Sequence, residues 1–153
     1  GKEPSWQNVN AMITQVIPQL PRTDVSISVD LSDIEVFADQ LLEKVFFNLL
    51  DNALRYGGST LHAIKITSQV SEESLTIICE DDGEGITPED KSHLFNRGFG
   101  RHTGLGLFLA KEILAITGIA IRENGEPGKG ARFEIVVPRE CFRIPGGNPR
   151  LDK

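Results

Sequence analysis

Apolar side chains recur every three or four positions in three stretches of the chain, which is the spacing of one helix face. The clearest stretch predicts a helix from about Asp39 to Tyr56, which Gly57-Gly58 then end. A second predicted helix covers Gly104–Ile116, and a short one covers Asn8–Val16 before Pro18 and Pro21. The pattern therefore predicts two long helices and one short helix, each with one apolar face.

Alternating apolar and polar residues predict one strand, and four further runs are strand-like, which gives five predicted strands. These strands are about Val25–Leu31, His62–Val70, Leu75–Asp81, Ile119–Glu123 and Ala131–Val137. Short polar segments join the second strand to the third and the fourth to the fifth, as in hairpins. Helices and hairpin-linked strands in this order predict an α/β (α+β) two-layer sandwich, with one mixed β-sheet and helices packed on one face.

The chain has 153 residues, 39% of them hydrophobic, which suits a single domain with one core. We place that core at about residues 6–138 and expect residues 139–153, which are rich in Pro and Gly, to form an irregular tail. The chain starts at Gly1 rather than Met, so we expect it to be part of a larger protein. No apolar run reaches the roughly 20 residues that span a bilayer.

The charge balance is acidic, with 16 Lys and Arg against 22 Asp and Glu, a net charge of -6. This balance disfavours nucleic acid and an anionic membrane as partners, since both attract basic surfaces. It still allows one small polyanion in a locally basic pocket. Cys79 and Cys141 lie outside any metal-ligand spacing, so we expect two reduced thiols of a cytosolic domain.

Three polar residues share one stripe of the predicted Asp39–Tyr56 helix. Asn48, Asn52 and Arg55 are spaced so that they fall along one side of the helix, beside its apolar face. Asparagine is unfavourable inside a helix, so a second role is expected. Its amide oxygen suits Mg²⁺, and a guanidinium pairs with phosphates. The alternative is a solvated polar face.

An acidic, glycine-containing turn, Asp81-Asp82-Gly83-Glu84-Gly85, follows the third predicted strand. Glycines let the backbone turn sharply and approach a flat ligand closely. An ionised Asp only accepts hydrogen bonds, so Asp81 suits the amino group of adenine and repels the oxygen of guanine. The alternatives are an acidic turn without a ligand and a calcium loop, whose alternating ligands are missing here.

A glycine-rich segment, Gly98–Leu107, runs into the second long helix. Glycines before a helix expose N–H groups at the positive end of its dipole, where anions bind. Arg97 and Arg101 add positive charge nearby. The segment matches neither the Walker loop nor the dinucleotide fingerprint, and a flexible loop without a ligand is the alternative.

Together these motifs resemble the ATP-binding catalytic domain (HATPase_c) of two-component sensor histidine kinases, within the GHKL superfamily and its Bergerat fold. The resemblance covers about Trp6 to Pro138. It rests on the N box Asn48–Tyr56, the glycine boxes Asp81–Gly85 and Gly104–Leu107, the F box Phe95–Phe99 and the final Gly130-Ala131-Arg132-Phe133. Ala131 replaces the usual Thr, and the short lid, about Asn96–Thr103, resembles archaeal and citrate-sensor-type kinases.

The resemblance implies ATP as the substrate and Mg²⁺ as its metal. It implies that Asn52 coordinates Mg²⁺, that Asn48 lies near the phosphates and that Arg55 contacts phosphate. It also implies that Asp81 accepts a hydrogen bond from the adenine amino group, with Tyr56 and Ile86 on either side of the adenine. The nucleotide-binding residues it implies are Asn48, Asn52, Arg55, Tyr56, Asp81, Gly83, Gly85, Ile86, Arg101, His102, Thr103, Gly104, Leu105, Gly106 and Leu107.

Asn48 also bears on the reaction. ATP hydrolases of this superfamily carry Glu at that position, where it activates water, and a neutral amide cannot take the proton. His62, His93 and His102 all lack the acidic neighbour of an acceptor histidine. We therefore expect γ-phosphate transfer to a histidine on an upstream dimerisation domain, with little autophosphorylation by this chain alone.

The resemblance implies a response regulator as a further partner, and a cytoplasmic domain without direct membrane or nucleic-acid contact. Two alternatives are a protein-serine kinase of the anti-sigma-factor type and a nucleotide-binding regulatory module without catalysis. Identification of the residue that accepts the phosphate would distinguish these alternatives from a histidine kinase.

Overall fold

A computed structural model describes residues 3–97 and 106–145 of the chain. The helices are α1 (Val9–Val16), α2 (Leu42–Tyr56), α3 (Pro88–Lys91) and α4 (Gly106–Ala115). The strands are β1 (Ser5–Asn8), β2 (Ser26–Asp30), β3 (Glu35–Ala38), β4 (Ala63–Val70), β5 (Ser74–Asp81), β6 (Ala120–Glu123), β7 (Arg132–Pro138) and β8 (Phe142–Arg143).

The larger sheet has five strands in the order β2-β4-β5-β7-β6. β2 pairs parallel with β4, and the other neighbours pair antiparallel, so the predicted mixed sheet is confirmed. Ile77 and Ile135 pair across β5 and β7 and are buried in one cluster with Phe46 and Leu50 of α2 and Leu114 of α4. The predicted two-layer arrangement is therefore confirmed.

The helix that carries the asparagines begins at Leu42, later than the predicted start at Asp39. The Asp39 carboxylate accepts a hydrogen bond from the Leu41 N–H at 2.8 Å, and the Asp39 carbonyl accepts one from Leu42 at 3.0 Å. A short acidic side chain competes with helical hydrogen bonding in this way, so Asp39 forms the turn before α2. The helix ends as predicted, with Gly58 at a φ of 80°.

A second sheet, in the order β1-β3-β8, is absent from the sequence-based prediction. Its last strand shows that an irregular tail is wrong for residues 139–143. Phe142 pairs with Val36 and is buried in the core cluster, and Cys141 is buried beside it. The tail is ordered here because a large aromatic side chain leaves water for the core.

Candidate functional site

A cleft of about 400 Å³ lies between α2, the end of β5 and the segment around α3. Most of its lining is apolar. The polar residues in the lining are Asn52, Tyr56, Glu80, Asp81 and Asp90. A concave apolar site with a few polar groups is typical of small-molecule binding.

Asp81 ends β5, and its two carboxylate oxygens have different roles. Oδ1 accepts hydrogen bonds from the N–H groups of Gly83 at 2.9 Å and Ala131 at 3.2 Å. Oδ2 accepts none from the residues that the structure describes. Burial raises the pKa of the Asp81 carboxyl, while the two backbone N–H groups oppose that rise. Asp81 is thus held rigidly, with one oxygen left over for a donor in the cleft.

The turn after Asp81 packs against the end of α2. The Glu84 N–H donates to the Gly57 carbonyl at 2.8 Å. A Cβ at Gly83 would lie 2.5 Å from that carbonyl oxygen, and Gly85 has a φ of 76°. Gly83 is therefore needed for the close approach to α2, and Gly85 for a backbone conformation that other residues rarely adopt.

Asn52 lies on α2 and lines the cleft, with 9% of its surface exposed. Its Oδ1 atom is buried and has no hydrogen-bond partner. A buried carbonyl oxygen without a donor costs free energy, and such an oxygen is also a ligand type that Mg²⁺ accepts. The described residues contain no cluster of three His, Cys, Asp or Glu that could hold a metal, so Asn52 would need ligands from a bound molecule.

Asn48, one turn before Asn52, contacts another element. Its Nδ2 donates to the carbonyl of Gly106, the first residue of α4, at 3.4 Å. Asn48 does not line this cleft but borders a second hollow with Lys44 and Gln40. The side chain therefore links α2 to the start of α4.

Arg55 has an acidic partner that the sequence reading missed. Its Nε lies 2.8 Å from Oδ2 of Asp51, one turn earlier on α2, and its side chain is half-exposed. Arg55 does not line the cleft. The four-residue spacing of Asp51 and Arg55 is the signal that predicts such a pair on a helix.

The family follows from residues 38–140, which match the model described as histidine kinase-, DNA gyrase B- and HSP90-like ATPase. The chain belongs to this ATPase family. The sequence-based assignment to the ATP-binding catalytic domain of the histidine-kinase type is confirmed by this match and by the relatives described next.

The relatives of this ATPase domain include sensor proteins. The alginate biosynthesis sensor protein KinB of Pseudomonas aeruginosa is 35% identical over 132 residues, which are 80% of this chain and 22% of KinB. The sensor protein RstB of Escherichia coli K12 is 39% identical over 110 residues, which are 65% of this chain and 24% of RstB. The chain thus spans about a quarter of the length of these relatives.

Among solved structures, the catalytic domain of the histidine kinase ThkA superimposes with a TM-score of 0.72 at 26% identity. The match covers 90% of this chain and 97% of that domain. The ATPase fold is therefore shared over nearly the whole of both chains.

Several of the predicted site residues of the ATPase domain meet in the cleft. These are Asn52, Tyr56, Asp81, Gly85 and Ile86, with Tyr56 half-exposed at the rim. Gly83 packs on Gly57, and Gly106 and Leu107 lie in the first turn of α4, outside the cleft lining. Arg101, His102, Thr103, Gly104 and Leu105 lie outside the described residues.

The cleft of the ATPase domain also contains residues that the sequence reading missed. Cys79, two residues before Asp81 on the same face of β5, lines it, as do Asp90 and Leu94. The period of two along a strand is the signal for Cys79. Burial raises the pKa of the Cys79 thiol to about 12, so this thiol stays neutral at ordinary pH.

Ala131 replaces the usual Thr of the last box, yet it still contributes to the cleft. It lines the cleft, and its backbone N–H donates to Asp81. This contact needs no side-chain hydroxyl.

In the parts of the chain that the structure describes, no helix has the length and apolar character that crossing a membrane requires.

Proposed function

We propose that this chain binds ATP with Mg²⁺ in the cleft and supplies the catalytic domain of a sensor histidine kinase. The γ-phosphate passes to a histidine on a separate dimerisation domain of the same protein. The observation that carries the proposal is the unequal pairing of the two Asp81 carboxylate oxygens. Oδ1 accepts hydrogen bonds from two backbone N–H groups, and Oδ2 is left for a ligand.

Adenine suits the donor that Oδ2 requires. Its exocyclic amino group donates a hydrogen bond, whereas guanine has a carbonyl oxygen at the same place. Tyr56 and Ile86 both line the cleft and flank the adenine ring in this proposal. Gly83 and Gly85 allow the tight backbone of the turn beside the ring, since a Cβ at either position would crowd neighbouring backbone atoms. The site therefore selects ATP over GTP.

The phosphates extend from the adenine toward Asn52 and the start of α4. The unpartnered Oδ1 of Asn52 is one ligand for Mg²⁺, and phosphate oxygens and water are the others. The ion supplies charge neutralisation for the triphosphate. Arg55 contacts phosphate when it exchanges its pairing with Asp51 for the ligand. The backbone N–H groups of Thr103–Leu107, of which residues 103–105 lie outside the described part of the chain, complete the phosphate site in this proposal.

Asn48 favours transfer over hydrolysis. Its neutral amide cannot accept a proton from water, and its Nδ2 is already engaged with the Gly106 carbonyl. Phosphoryl transfer depends mainly on positioning and charge stabilisation, both of which the cleft can supply without a base. ATP is therefore held intact until an acceptor reaches its γ-phosphate.

The acceptor lies on another domain in this proposal. Neither His62 nor His93 lines the cleft. The backbone N–H of His62 donates to the Asp82 carboxylate at 2.7 Å, and His93 is exposed after α3. The similarity to KinB and RstB, both named as sensor proteins, supports an upstream acceptor domain and a response regulator as partners. The proposed location is a cytoplasmic domain without direct membrane or nucleic-acid contact.

Transfer of ³²P from [γ-³²P]ATP to the separately purified acceptor domain of the full-length protein tests this function. The expected product is acid-labile and alkali-stable, as a phosphohistidine is, and no product forms when the acceptor histidine is changed to Gln. An acid-stable phosphoserine would instead support a serine kinase. ATP binding without any transfer would support a regulatory module.

A further inference from the structure

Contacts of one lysine link α3 to the end of β6 and to the turn between β6 and β7. Lys91, the last residue of α3, places its Nζ 2.9 Å from Oε1 of Glu123. The same Nζ donates a hydrogen bond to the Gly125 carbonyl. These contacts join two segments that are far apart in the sequence.

The Glu123 side chain is almost completely buried, with 2% of its surface exposed, and Lys91 is 26% exposed. The second carboxylate oxygen of Glu123, Oε2, accepts hydrogen bonds from the backbone N–H groups of Gly125 at 3.0 Å and Arg132 at 3.1 Å. Lys91 is the only cation paired with Glu123 in the described part of the chain. A buried carboxylate that loses its cation is strongly destabilised, so this pair differs from an ordinary surface salt bridge.

Both linked segments contribute residues to the cleft lining. From the turn between β6 and β7, the Ala131 N–H donates to the Asp81 carboxylate, and the Ala131 carbonyl accepts from the Asp81 N–H at 3.0 Å. From the α3 segment, Asp90 and Leu94 line the cleft. Lys91 and Glu123 themselves do not line it.

We propose that Lys91 and Glu123 are positioning residues for the adenine end of the nucleotide. Their ion pair holds α3 against the β6–β7 turn, which fixes the separation between the Asp90 and Leu94 wall and the Asp81 and Ala131 wall. The adenine then meets a preformed slot rather than one that must close at a cost in binding free energy. This inference rests on the proposed binding of ATP in the cleft.

The test uses calorimetric binding of ATP and of adenosine, with the melting temperature of each variant measured in parallel. Lys91→Met removes the cation, Lys91→Arg keeps it, and Lys129→Met is the control on an exposed lysine of the same turn. Lys91→Met should raise the Kd of both ligands by about 2- to 30-fold, the usual range for residues that act without touching the ligand. Lys91→Arg should recover most of the affinity, and the control should bind as the parent does.

The double variant Lys91→Met with Glu123→Gln separates positioning from stability. It leaves no buried charge unpaired, and the Gln oxygen can still accept the N–H groups of Gly125 and Arg132, so the melting temperature should return toward that of the parent. The Kd should stay raised because the link between α3 and the turn is lost. A double variant that binds with the parental Kd would overturn the inference.

Asp81→Asn, measured alongside, distinguishes the two possible failures. If Asp81→Asn binds ATP as tightly as the parent, the cleft assignment fails and the positioning inference fails with it. If Asp81→Asn weakens ATP while both Lys91→Met and the double variant bind normally, only the positioning inference is wrong.

Discussion

Replacement of Asp81 by Asn should invert the base preference of the cleft. Oδ1 of Asp81 accepts the N–H groups of Gly83 and Ala131, and an Asn side chain keeps both hydrogen bonds only if its own oxygen takes that place. Its NH₂ group must then occupy the position of Oδ2. The adenine amino group would meet another donor there.

The size of the effect follows from the two interactions that change. A hydrogen bond to a charged acceptor contributes about 1.5–3 kcal/mol, and a donor left unsatisfied costs about 1–3 kcal/mol more. Because these ranges partly overlap in what they count, we expect a loss of about 3–4 kcal/mol, or roughly 150- to 900-fold in the Kd of ATP. Inosine triphosphate has an oxygen in place of the amino group and should lose little affinity or gain some.

Isothermal titration calorimetry with ATP and inosine triphosphate measures this prediction directly. Asp82→Asn is the matched control, because Asp82 accepts the N–H groups of His62 and Ala63 through Oδ1, which Asn can also do. It should change both affinities little. Equal losses for the two nucleotides in Asp81→Asn, or no loss for ATP, would refute the reasoning.

Other variants test separate parts of the account. Asn52→Ala should abolish the difference in ATP affinity between Mg²⁺ and EDTA that we expect calorimetry to show for the parent, and an undiminished difference would exclude Asn52 as a ligand. Asn48→Glu should raise phosphate release from ATP by supplying a base, whereas Asn48→Gln should not, and equal rates would contradict the role given to this position. Phe142→Ala should lower the free energy of unfolding in urea by about 3–5 kcal/mol, against less than about 0.5 kcal/mol for the exposed Ile116→Ala. A small effect of Phe142→Ala would mean that the last strand contributes little to the core.

The parts of the fold that the sequence predicted well are those with a long local pattern. α2 shows the helical spacing over its whole length, although it begins three residues after the predicted start at Asp39. The ends of the strands of the larger sheet differ from the prediction by about one residue. β1 and β8 are short and largely polar, with four and two residues. They are strands because they pair with β3, and local alternation carries no signal of such a distant partner.

The candidate site shows the same limit. The roles of Asp81 and Asn52 could be predicted because each residue has an informative local context. Asp81 begins a glycine-containing turn at the end of a strand, and Asn52 lies inside a helix, where asparagine is unfavourable. Asn48, Asn52 and Arg55 share a stripe of α2, but contacts with other residues give them different surroundings. Asn48 donates a hydrogen bond to α4, and Arg55 pairs with Asp51. The ion pair of Lys91 with Glu123 depends on how α3 and the β6–β7 turn pack together, which spacing along the chain does not encode.

The most direct measurement of the central claim is a crystal structure of this domain with Mg²⁺ and a non-hydrolysable ATP analogue. The account predicts the exocyclic amino nitrogen of adenine about 3 Å from Oδ2 of Asp81, and Mg²⁺ about 2.1 Å from Oδ1 of Asn52. A nucleotide bound outside this cleft, or an adenine whose amino group points away from Asp81, would contradict it.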